Sequence, residues 1–167
     1  MNVSGLFSRA FTAAILLMAI FLIPAAASAE KAPRFWISSL DGDRFISQSH
    51  QGGIIISFFY VDCAPCKIEV PELYRLVQEK NGLKDVKLLF VDPLKNDSKE
   101  AIREFAARRD VPVQFFYHDS FGRLAKKFFG NKIVYPAIVG IKDGEIRFRV
   151  HQLDDETAAT IRATFSP

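Results

Sequence analysis

Apolar positions in this chain change their period several times, and each change marks an element. Residues 54–61 form a continuous run, Ile-Ile-Ile-Ser-Phe-Phe-Tyr-Val, as expected of a strand buried on both faces. Ile68, Leu73, Leu76 and Val77 then recur at helical spacing, and Cys63-Ala64-Pro65-Cys66 lies between the two patterns. Upstream, residues 32–40 alternate loosely and end on the turn signal Asp41-Gly42, with 44–47 returning as a second strand. Downstream, Asn81-Gly82 should stop the helix, and 86–91 reads as a strand bounded by Asp92-Pro93.

The pattern continues in kind. Asp97 is the expected N-cap of the next helix, with Glu100 completing a capping box and Ala101, Ile102, Phe105 and Ala106 on its apolar face. A short extended piece is expected at 113–117, then a helix over 120–129 closed by Gly130. Residues 136–141 and 145–150 make a hairpin about Asp143-Gly144, and Asp154 or Asp155 caps a last helix. The phenylalanine pairs 58/59, 115/116 and 128/129 should fill both sides of a sheet, since neighbours in a strand face opposite ways. Pro71 should kink the helix it interrupts. The order is hairpin, β-α-β-α, helix, hairpin, helix. It predicts an α/β fold with a central mixed β-sheet and helices on both faces.

Composition supports one packed domain. The chain has 167 residues, 49% of them apolar, with 16 Phe. A net charge of +3, without a basic stripe, makes no case for nucleic acid. The N-terminus differs: Arg9 is the only charged side chain before Glu30, 10–23 is apolar, and Ala27-Ser28-Ala29 has signal-peptidase spacing. Residues 1–29 are thus expected to be a secretory signal peptide, with an uncleaved anchor as the alternative. Residues 30–167 would then form a domain outside the cytoplasm, where disulfides persist.

Both cysteines of the chain sit in the Cys63–Cys66 turn. Three apart at the start of a helix, their sulfurs come close, and backbone N–H groups there favour a thiolate. Cys63, nearer the helix N-terminus and expected to be the more exposed, suits the nucleophile; Cys66 suits the resolving thiol. Pro65 needs no helical N–H and stiffens the turn. A structural bridge over so short a loop would restrict the unfolded chain little. Zinc would want further Cys or His ligands nearby, and haem attachment would need His where Lys67 stands. Two alternatives stay open: a copper(I)-binding metallochaperone-like protein, since thiolates suit that soft ion, and a non-catalytic interaction domain with a permanent disulfide. Glu69, one turn on from Cys66, could relay its proton if burial raised the carboxyl pKa, or could be an ordinary solvated glutamate. Asp62 places a like charge beside Cys63, which should hold that thiol nearer its ordinary pKa and favour the reducing direction. His50, His118 and His151 are scattered and read as loop or strand residues.

Four stretches together resemble the thioredoxin-fold family, and within it the TlpA/ResA-like periplasmic thiol–disulfide oxidoreductases. They are Ala32-Pro33-x-Phe35 with Leu40-Asp41-Gly42; Cys63-Ala-Pro-Cys66-Lys67-x-Glu69-x-Pro71-x-Leu73; Tyr135-Pro136; and Ile141-Lys-Asp-Gly-Glu-Ile146. The resemblance implies a thioredoxin-like three-layer fold with an N-terminal β-hairpin and a redox-active Cys63–Cys66 disulfide that needs no bound cofactor or metal. It also implies a cis Pro136 that sets the Tyr135 backbone against the sulfurs to bind an extended substrate segment. Expected partners are protein thiols and disulfides and a membrane thiol electron donor, with cytochrome c maturation as one pathway and a monomer as the working form. Two departures stand out: Asp62 occupies a place usually held by Trp, and Ser57 the place of a buried Asp in thioredoxins proper.

Overall fold

The computed structural model describes residues 30–78 and 83–166, so the predicted signal segment and the Asn81-Gly82 stop lie outside the described residues. Eight strands form in chain order: β1 Glu30–Lys31, β2 Trp36–Ser38, β3 Arg44–Ile46, β4 Gly53–Phe58, β5 Val86–Asp92, β6 Phe116–His118, β7 Ala137–Lys142 and β8 Glu145–Val150. The helices are α1 Cys66–Gln78, α2 Lys99–Ala107, α3 Arg123–Phe129 and α4 Asp155–Phe165. Six strands make one sheet in the order β1-β8-β7-β4-β5-β6, and β2 and β3 pair as a separate hairpin. β4 runs parallel to β5 and antiparallel to β7, so the sheet is mixed, as the alternation of elements implied. No described helix is long and apolar enough to cross a membrane.

The apolar run forms the central strand because every residue of β4 is buried. Ile55 and Phe59 pack with α1, α2 and α4, through Val70, Leu73, Ile102, Phe105, Ile161 and Phe165. Ile54, Ile56 and Phe58 face the other way, onto α3 and the N-terminal hairpin through Leu124, Phe128, Phe35 and Ile37. This makes three layers. The phenylalanine rule holds only for 58/59. Phe115 closes a 3₁₀ turn before β6, and Phe128 and Phe129 are adjacent on a helix, so each of those pairs packs on one side.

Other departures have local causes. The central strand ends at Phe58, short of the expected Val61: Phe59 N–H still reaches Val91 O at 3.1 Å, but Cys63 N–H turns back to Tyr60 O. Ser98, not Asp97, caps α2, accepting the Ala101 N–H at 3.1 Å, so the expected capping box does not form. Asp154 is the cap of α4, accepting from Thr157 N–H at 2.8 Å. α3 starts at Arg123, three residues later than expected. β1 was not anticipated; two residues long, it pairs with β8, and Glu30 grips Arg149. Pro71 lies inside α1, which continues through it to Gln78.

Phe59 joins the core to the cysteine turn, with its ring 4.9 Å from Phe105 and 5.5 Å from Phe116. Phe59→Ala should cost about 3–5 kcal/mol of stability in chemical denaturation, as removal of a fully buried aromatic does. Trp36, 63% exposed with Arg44 over its ring, should lose no more than about 1 kcal/mol on replacement by Ala.

Candidate active site

β4 and β7 deliver the site to one end of the sheet. Phe58 and Ala137 are register partners, so the turn after β4 and the Tyr135–Pro136 dipeptide before β7 lie side by side. The Tyr135–Pro136 peptide is cis. Tyr60 and Tyr135 pack edge to face across this junction, ring centroids 5.4 Å apart. From Tyr60 the chain passes through a tight turn into α1, and Cys63 and Cys66 are joined in a disulfide with their Cα atoms 5.2 Å apart.

The Cys66 N–H donates to Cys63 Sγ at 3.2 Å, while Cys63 O accepts from Lys67 N–H. The start of the helix therefore points a donor at the first sulfur, an arrangement that favours a thiolate once the disulfide opens. Pro65 O accepts from Glu69 N–H at 3.0 Å and so closes the first turn. Ala64, Pro65 and Asp62 are exposed around the pair. Cys63 was expected to be the more exposed sulfur, but it is 1% exposed against 0% for Cys66. Both belong to the core cluster behind α1, against which Tyr60 and Tyr135 pack, and this removes the difference.

Glu69 is not solvated. It is 5% exposed, with Oε2 accepting Leu153 N–H at 2.9 Å and Oε1 without a partner. Burial pushes its carboxyl up to about 7, opposed by the Leu153 bond. Tyr135 is pushed up to about 12 by burial and by the charges of Asp92 and Asp119. Ser57 is wholly buried below the turn with its hydroxyl unpartnered. The histidines do not gather: His50, His118 and His151 each contact a different backbone carbonyl, of Gly53, Leu94 and Val134. Among the described residues no group of three or more His, Cys, Asp or Glu side chains is placed to hold a metal ion.

Sequence reading passed over two residues at this end of the sheet. Asp92 was read only as a strand boundary, yet it is wholly buried and its carboxyl is pushed up to about 8, first by burial and then by Asp97. Asp97, expected as a helix cap, accepts the Val61 N–H at 3.1 Å instead. Two acids close to Pro93 were visible in the chain, but nothing there revealed that Asp97 turns to the cysteine loop with Asp92 against it.

No protein-family model matches the chain, and no curated protein matches its sequence. Solved structures do match in shape. A thiol:disulfide interchange protein of the thioredoxin family from Chlorobium tepidum superposes with a TM-score of 0.70 at 17% identity, over 85% of this chain and 100% of that one. A secreted Mycobacterium tuberculosis disulfide oxidoreductase homologous to Escherichia coli DsbE gives 0.63 at 20% identity, over 77% and 95%. StoA from Bacillus subtilis gives 0.64 at 20% identity, over 79% and 96%. The chain has the thioredoxin fold. At these identities the likeness is one of architecture.

The raised carboxyls make stability depend on pH. Between their ordinary values of 4.5 and 3.8 and their folded values of about 7 and about 8, Glu69 and Asp92 hold protons that the unfolded chain has released. Stability should therefore fall as pH rises through that window and be free of the penalty below it. Glu69→Gln keeps an oxygen for Leu153 N–H and removes its share of the penalty. In urea denaturation it should match the wild type near pH 4 and exceed it by roughly 1–3 kcal/mol near pH 8.

Proposed function

We propose that this protein is a thiol–disulfide oxidoreductase that exchanges disulfides with protein substrates outside the cytoplasm, in the reducing direction. The observation that carries the reading is the Cys66 N–H donated to Cys63 Sγ at the start of α1, beside the cis Tyr135–Pro136 peptide. In the reduced protein the Cys63 thiolate attacks one sulfur of a substrate disulfide, and that S–S bond breaks. The substrate's other sulfur leaves as a thiolate and takes a proton. Cys66, deprotonated, then attacks Cys63 Sγ, which releases the second substrate thiol and forms the Cys63–Cys66 disulfide. The substrate gains two electrons, and a dithiol donor returns the pair to the reduced state.

Other residues take supporting roles. Glu69, with its unpartnered Oε1 one turn from Cys66, accepts the resolving thiol's proton; a carboxyl near pKa 7 is matched to that task. The Tyr135 backbone pairs with an extended substrate segment, in the manner of strand addition. Pro65 keeps the turn short, and Asp62 tempers the thiolate. The apolar segment with its small-residue spacing at 27–29, and the secreted Mycobacterium protein of the same fold, support export; a membrane thiol carrier would be the donor. Apocytochrome c is one substrate class consistent with this direction.

A Cys66→Ala protein should accumulate mixed disulfides through Cys63, visible as reductant-sensitive adducts on gels, and Cys63→Ala should form none and lose exchange altogether. A wild-type reduction potential far below the thioredoxin range of about −270 mV, with no adduct trapped, would instead identify a permanent bridge. Asp62→Trp should lower the Cys63 thiol pKa measured by pH-dependent alkylation, because it removes a like charge; an increase would refute the role given to Asp62.

A further inference from the structure

Val61 lies in the turn beyond β4, two residues before Cys63, and its N–H finds its acceptor 36 residues away, in Asp97 Oδ2. Asp97 lies between β5 and α2, and next to it is Asp92, the last residue of β5. Asp92 is 0% exposed, its Oδ1 accepts Leu94 N–H at 2.8 Å, and its Oδ2 is buried with no partner among the described residues. A carboxyl as dry as that of Asp92, set against a second acid, cannot ionise without a large penalty. Neither forms an ion pair among the described residues. A proton on Asp92 Oδ2, donated to Asp97, meets both needs. It satisfies the orphan oxygen and leaves Asp97 Oδ2 to accept the Val61 N–H.

We propose that Asp92 and Asp97 share one proton and act as a carboxyl clamp that positions the Val61–Cys63 turn, so that Cys63 Sγ meets the Cys66 N–H. They are positioning residues, acting through the backbone. The inference rests on the reading of Cys63 and Cys66 as an exchanging pair. The upward displacement of the Asp92 carboxyl, by burial and by Asp97, agrees with it. His118 lies across from Asp92 in the β5–β6 register, with Nε2 on Leu94 O. Asp119 donates its N–H to Asp92 O at 2.7 Å and turns its carboxylate to the Arg123, Leu124 and Ala125 N–H groups. Tyr135, feeling both Asp92 and Asp119, packs on Tyr60. Loss of the shared proton would leave two like charges, and the clamp would loosen.

Three variants test this. In Asp97→Ala, disulfide exchange at neutral pH should slow by about tenfold, the rate equivalent of one lost charged hydrogen bond. Asp97→Asn should recover most of that, because its amide can still accept from Val61 and donate to Asp92. In the pH profile of Cys63 alkylation, the wild type should show, besides the thiol's own ionisation, a second inflection near pH 8 that survives Glu69→Gln and vanishes in Asp92→Asn, leaving a single-thiol curve. Hydrogen exchange at the Val61 amide should be faster in folded Asp97→Ala than in the wild type, whatever the protein's activity. An inactive wild type whose Val61 amide still responds to Asp97→Ala would refute the exchange function and leave the clamp standing. A Val61 amide unchanged in Asp97→Ala, or a second inflection retained in Asp92→Asn, overturns the clamp.

Discussion

The hydrogen bond from the Cys66 N–H to Cys63 Sγ sets the terms for the rest of the molecule. A donor at a helix start can reach that sulfur only if the strand ends five residues before it and the helix begins three residues after. β4 is buried on both faces and fixed by β5 on one side and β7 on the other, so its end cannot drift. α1 is fixed just as firmly, through Val70, Leu73 and Val77 in the core. The turn between them has little conformational choice left. Rigid elements hold a short loop, and the loop carries the chemistry.

That rigidity brings an electrostatic cost. The same packing that fixes α1 buries Glu69, and the end of β5 buries Asp92, so two carboxyls sit where charge is expensive. Each keeps one oxygen satisfied by a backbone N–H, of Leu153 and Leu94, and one oxygen bare. A bare oxygen in a dry site holds a proton near neutral pH, the range in which thiols exchange. Acids retained at a loss of stability, on separate elements at one end of a sheet, are the groups on which the proposed thiol chemistry draws.

Much of this was legible in the chain because it rests on periodic burial. The run at 54–61 marked a strand covered on both faces, although the strand itself ends at Phe58, and the switch to helical spacing after Cys66 marked the helix that follows. The late hairpin about Asp143-Gly144 followed from turn chemistry, and both residues take positive φ there. Legibility ended where a side chain was free to choose between nearby partners. Asp97 and Ser98 are adjacent, and either could cap α2; Ser98 does, because Asp97 is drawn to an N–H that the departing strand leaves unpaired. β1 was illegible for a different reason, since two residues carry no period of their own. Exposure of Cys63 was misjudged because position along a helix says nothing about which rings, here Tyr60 and Tyr135, pack against the cluster that contains it.

The substitution at Asp62 is best understood with the clamp in view. An aromatic side chain before the first cysteine could hold such a turn by packing over it. Asp62 is exposed and offers no such anchorage. Here the turn is held from beneath, by a carboxylate that captures the Val61 N–H, and from the side by Tyr60 against Tyr135. A packed ring holds a loop alike at every pH, whereas a carboxyl pair holds it only while one proton remains. Polar anchorage makes the geometry at Cys63 depend on the pH range over which its thiol ionises.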